Sequence, residues 1–134
     1  MAKLTEVEGI GPIYAQKLIE AGVVTTGALL DKGSTPQGRN ELAEAAGISP
    51  KLILEWVNHV DLFRINGVAE EYADLLEEAG VDTVPELAQR NPANLYQKLV
   101  EVNEAKQLVR RLPTESQVAG WVAQAKELPR VINY

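Results

Sequence analysis

The chain has 134 residues, 46% of them hydrophobic and 24% charged, with a formal net charge of −6, which is room for one domain or two very small ones of ordinary globular composition. That length is too short for an α/β barrel or a large doubly wound enzyme, and no apolar run approaches the ~20 residues that cross a bilayer. With no cysteine and a single histidine, disulfides, thiolate nucleophiles and multi-histidine metal sites are excluded, and net acidity argues against gripping nucleic acid through bulk charge.

Met1 to Glu6 lacks the apolar stretch of an export signal, so a soluble cytoplasmic protein is expected. Gly11-Pro12 places a proline where the first helical turn tolerates it, and Tyr14, Ala15, Leu18 and Ile19 follow as an apolar stripe. Gly22 ends that helix, and Gly47 and Gly80 repeat the device. Thr35-Pro36, Ser49-Pro50 and Asn91-Pro92 read as cap plus proline, whereas Thr83-x-x-Glu86 and Thr114-x-x-Gln117 read as capping boxes. Leu52, Ile53, Trp56, Val57 and Val60 make one apolar face; Val118, Trp121, Val122 and Ala125 make another. No stretch alternates with period two. The spacing predicts helices near 12–21, 26–31, 36–46, 50–60, 70–79, 84–90, 92–102, 104–111 and 115–127. Pro129 to Tyr134 has no helical pattern and is expected to be extended.

The chain repeats itself. Val7–Asp31 set above Ile65–Gln89, an offset of 58, gives 10 identities in 25 positions, among them Gly9/Gly67, Tyr14/Tyr72, Ala15/Ala73, Gly22/Gly80 and Thr25/Thr83. Trp56 and Trp121 answer one another later in each copy, at an offset of 65. Copies of this size lie near the lower limit for independent folding, so one shared core is expected.

Val7-Glu8-Gly9-Ile10-Gly11-Pro12-Ile13-Tyr14-Ala15-Gln16-Lys17-Leu18 resembles the helix-hairpin-helix motif, apolar-x-Gly-apolar-Gly-x-x-x-Ala-x-x-apolar. In that pattern the two glycines permit a tight bend and a close backbone approach, and Ile10 is the anchor between the helices. The second copy, Ile65 to Leu76, keeps every apolar anchor but has Ala69 at the second glycine. Over nearly its full length the chain also resembles a bacterial helix-hairpin-helix family known only as a domain of unknown function. The resemblance implies an all-α fold of two pseudo-symmetric helix-hairpin-helix (SAM-like) repeats, 1–61 and 62–134 with the tail, sharing one compact core.

In DNA-binding members of the fold, backbone amides of the hairpin and of the following helix meet phosphate oxygens. The positions so implied are Gly9, Ile10, Gly11, Ile13 and Tyr14, with Lys17 one turn on; a monovalent cation on the hairpin carbonyls sometimes assists. This chain has Pro12-Ile13 where such hairpins carry Lys or Arg, and its second copy offers Glu70 and Glu71, which repel phosphate. The second hairpin is therefore expected to serve packing. Residues 1–61, 62–90 and 91–134 carry net charges of −3, −5 and +2, and Lys106, Arg110 and Arg111 form the one basic cluster.

Other readings are bland ones. The acids from Glu70 to Asp82 are expected on a solvated helix face, with no divalent metal; His59 is expected to be structural; Trp56 and Trp121 are assigned to the core. Gly33 to Gly38 lacks the Gly-Lys-Ser/Thr ending of a phosphate loop and reads as a connection with a cap. No acid, base and nucleophile can be assembled. The expectation is a non-catalytic binding module, without small-molecule substrate or membrane contact, making weak sequence-independent nucleic-acid contact through Gly9, Ile10, Gly11, Ile13, Tyr14 and Lys17, aided by Arg110 and Arg111. The alternative is a protein-interaction or assembly adaptor that has kept the scaffold and lost the phosphate chemistry.

Overall fold

A computed structural model describes residues 3–134. The described residues form eight α-helices and no strand: α1 (Pro12–Glu20), α2 (Thr26–Gly33), α3 (Pro36–Ala46), α4 (Pro50–Leu62), α5 (Glu70–Glu78), α6 (Val84–Ala88), α7 (Pro92–Lys106) and α8 (Glu115–Glu127). A short 3-10 turn, Leu4–Glu6, precedes them, and Lys3 makes a lone antiparallel bridge with Thr25.

Local chemistry explains most boundaries. Thr25, Thr35 and Asn91 accept from the amides of Ala28, Gly38 and Asn94, each at the third position beyond the cap. Thr114 and Gln117 close a full capping box on α8. After α1 the amides of Gly22 and Val23 return to the carbonyls of Ile19 and Leu18, and after α5 those of Gly80 and Val81 return to Glu77 and Leu76. Gly22 and Gly80 sit at φ 94° and 93°, a left-handed conformation that glycine adopts without penalty.

Three expectations are corrected. Thr83 is buried and does not cap α6; its hydroxyl donates to the Glu86 carboxylate, which also accepts from the Asp82 amide. The helices expected at 92–102 and 104–111 are a single α7 that stops at Lys106, leaving Arg110 and Arg111 on a loop. The stop has a cause: Gln107 turns left-handed at φ 50°, and the Asn103 side chain then pairs with both the amide and the carbonyl of Val109. A non-glycine residue in that conformation is strained, so Gln107→Gly is expected to raise stability by about 0.5–1 kcal/mol in a denaturant titration. Third, contacts group into two units, residues 1–61 with 131–134 and residues 62–130, so the last four residues pack with the first unit rather than the second.

The first unit, containing α1 to α3 and α4 up to Asp61, buries Val7, Ile10, Leu18, Leu29, Leu42, Ile53, Trp56 and Val57. The second, containing α5 to α8, buries a cluster around Leu75, Leu76, Leu87, Leu95, Leu99 and Trp121.

Candidate functional site

The bend before α1 is built from the inside out. Val7 and Ile10 are buried anchors, and the Ile10 amide donates to the Val7 carbonyl at 3.0 Å, closing a tight turn. Gly9 stands at its apex with φ 92°, a conformation that side chains rarely adopt. A Cβ there would lie 3.1 Å from Nε1 of Trp56, so the α4 indole forms the floor of the bend. Trp56 is 3% exposed, and the Tyr14 ring packs on it at a centroid distance of 5.1 Å. Lys17 Nζ lies 5.9 Å from the centre of the Tyr14 ring. The second bend has matching dimensions: Gly67 at φ 95°, a Cβ-to-indole distance of 3.2 Å on Trp121, and Tyr72 at 5.2 Å from that indole.

Gly11 differs from Gly9. Its φ is −87°, ordinary for any residue, and no atom lies within 4 Å of where its Cβ would be. Ala69 serves as the N-cap of α5 in a similarly extended conformation. The tight bend therefore needs only the first glycine, and the second leaves open space outside it.

No side chain caps α1. Pro12 has no N–H, and the first amide with an acceptor is that of Ala15, on the Gly11 carbonyl. The amides of Gly11, Ile13 and Tyr14 have no protein acceptor among the described residues, which is the usual state of an uncapped helix start. Gly9, Gly11, Pro12, Ile13, Tyr14 and Lys17 line one open, largely apolar hollow, with Ile13 75% exposed beside it.

Six of the eight expected contact residues thus lie on one bend, but Ile10 is withdrawn from the contact set. Its side chain is in the core and its amide is already bonded. Arg110 and Arg111 belong to the second unit, where the Arg111 carbonyl accepts the Tyr72 hydroxyl at 2.9 Å. Lys106, at the end of α7, pairs with Glu78. The expected basic cluster is therefore dispersed: one member is neutralised, and the other two flank the second bend.

At the second bend the amides of Ala69, Glu70, Glu71 and Tyr72 likewise have no protein acceptor among the described residues, but the backbone of Asn66, the counterpart of Glu8, is held by a side chain. The Asn66 amide donates to the Gln124 side-chain oxygen at 2.9 Å, and the Gln124 amide group returns a bond to the Asn66 carbonyl at 3.2 Å. Glu70 and Glu71 occupy the first turn of α5, where they complement its dipole. Gln124 was not singled out in the sequence, although it follows Trp121 by three residues and so lies near it on α8. His59 is buried on α4. Among the described residues no group of three or more His, Asp or Glu is placed to hold a metal ion, and no helix is long and apolar enough to cross a membrane.

A family model described as a domain of unknown function (DUF4332) matches residues 8–128. No solved structure matches the chain.

Proposed function

The chain belongs to that family, whose description carries no activity, and on this premise we propose that it is a non-catalytic, cytoplasmic binding module of two pseudo-symmetric helix-hairpin-helix repeats, whose first hairpin makes weak, sequence-independent contact with nucleic acid. The observation that carries this reading is the difference between the two bends. At the first, three consecutive donors (Gly11, Ile13 and Tyr14) head a nine-residue helix with no acceptor of their own, beside an open hollow. At the second, the helix-start amides are equally unpaired, but two glutamates head the helix and repel a phosphate from them. Helix-start amides and the helix dipole suit a phosphate oxygen, and Lys17 adds one cation a turn further on. A monovalent cation on the hairpin carbonyls fits the same reading.

Contact of this kind displaces few counterions. With Lys17 as the cation in reach, the logarithm of the binding constant is expected to fall with that of salt with a slope of only about −1. Gly11→Glu is a clean probe because its Cβ meets nothing within 4 Å and its φ is ordinary. It places a carboxylate among the amides while leaving the fold alone. Titration of labelled duplex and single-stranded DNA is expected to show weak binding by the parent chain at low salt, and at least a ~10-fold loss in Gly11→Glu, from like-charge repulsion. Equal binding by both proteins rejects the site.

The adaptor reading rests on a separate observation, the exposed Ile13 where a cation would serve nucleic acid better. An isoleucine and a proline beside an apolar hollow suit a protein surface. No DNA binding even at low salt favours this alternative.

A further inference from the structure

The first unit is assembled from two separate pieces of chain, and the second piece is only Val131–Tyr134. It has no regular secondary structure, yet it is well held. Ile132 is 2% exposed. The Asn133 amide donates to the Ser34 carbonyl at 2.7 Å. The Tyr134 hydroxyl donates to Asn58 Oδ1 at 2.9 Å, and its ring centre lies 5.9 Å from the Arg39 guanidinium carbon.

Arg39 explains why an aromatic ring belongs there. It is 6% exposed on α3, its Nη1 donates to the Gly33 carbonyl at 2.8 Å, and no carboxylate pairs with it among the described residues. A guanidinium buried without a carboxylate partner gains from the face of an aromatic ring, here one whose residue is 60% exposed. The seat thus reads three features along one segment: a buried apolar side chain, the next residue's N–H, and a phenol one residue further. Tyr134 nonetheless leaves most of its surface in solvent, and short irregular segments open locally at far lower free energy than a helical core.

We infer that Ser34, Arg39 and Asn58 mark a groove for an extended peptide of pattern apolar-x-Tyr, filled in cis by Ile132-Asn133-Tyr134, which acts as a displaceable strap. The occupant in trans is an extended peptide segment carrying the same pattern. A short tether presents its own segment at an effective concentration of order millimolar, so the strap competes with any such partner. The groove does not depend on what the first bend binds.

The probe is an acetylated peptide copying Pro129–Tyr134, titrated into two isotope-labelled full-length proteins, the parent and the double variant Ile132→Asp, Tyr134→Ala. In the double variant the amide signals of Ser34, Arg39 and Asn58 are expected to shift saturably with peptide. In the parent they are expected to move ~10-fold less at equal peptide, because the strap competes. A peptide with alanine in place of its tyrosine is expected to shift neither protein. Absence of saturable shifts in a double variant that keeps the parent's helical circular dichroism overturns the groove, and so do equal shifts in both proteins. Hydrogen exchange on the unaltered chain reads the strap even if the double variant misfolds. Asn133 is expected to exchange more slowly than in a free peptide, yet ~100-fold faster than Ile53 in α4. Exchange at the Ile53 rate makes the segment a fixed part of the core, and free-peptide exchange removes the strap altogether; either result overturns the inference.

Discussion

Gly38→Ala is expected to unfold the first unit at temperatures the parent tolerates. A Cβ at Gly38 would lie 1.9 Å from the Lys32 carbonyl oxygen and 3.1 Å from its carbon. The obstacle is backbone, at the end of α2, so no side-chain rotation relieves it. The same Cβ would crowd the Thr35 hydroxyl at 3.2 Å, the group that caps α3 through the Gly38 amide. Relief requires α2 and α3 to separate, which also pulls on the neighbouring bond from the buried Arg39 to the Gly33 carbonyl. Overpacking that cannot relax costs ~3 kcal/mol or more. For a unit of this size that is a fall in melting temperature of roughly 12 °C or more. Gly120→Ala is the control: its Cβ meets nothing within 4 Å on α8, and it is expected to add about 0.5–1 kcal/mol through helix propensity. Thermal unfolding followed by circular dichroism separates the two, and a Gly38→Ala melt within a few degrees of the parent would show that α2 and α3 are not so close.

Trp56→Ala is expected to lower stability by about 3–5 kcal/mol, the usual cost of emptying an indole-sized site. Trp56 is nearly fully buried, touches the Tyr14 ring, and lies under the Gly9 apex. Its loss therefore removes the floor of the first bend, and nucleic-acid or partner binding there is expected to disappear with it. Trp121→Ala removes the corresponding floor of the second bend, at a similar cost, but is expected to spare binding at the first. Trp56→Phe retains ring packing and is expected to recover much of both losses. Binding that survives Trp56→Ala, in protein that still shows the parent's helical signal, would place the contact somewhere other than the first bend.

The boundaries of α1, α3 and α8 were legible because their signals are local. A proline at N1, a threonine oxygen three residues from its amide, or a glycine at positive φ acts through the adjacent few bonds, and the residues concerned are neighbours in sequence. The core placement of Trp56 and Trp121 was legible for a related reason, since each lies on an apolar face at helical spacing. Where the same local signals compete with burial they mislead. Thr83 occupies the same place in the second copy as the working cap Thr25, yet its hydroxyl turns to Glu86. α7 runs through a stretch that looked like two helices and stops at Lys106, where Gln107 turns left-handed and the Asn103 side chain takes both backbone groups of Val109.

The amino-acid order by itself determined that this chain is helical, where most helices begin and end, and that a glycine bend precedes Tyr14 and recurs before Tyr72, since short-range sterics and capping bonds decide these within a turn or two. Tertiary structure alone decided that Gln124 holds the second bend, why Gly38 admits no side chain, and where Ile132 to Tyr134 are seated. Each depends on groups brought together from far along the chain: Gln124 to Asn66, Tyr134 to Arg39 and Asn58. Such pairings follow from how helices pack, and no local window of sequence contains both partners.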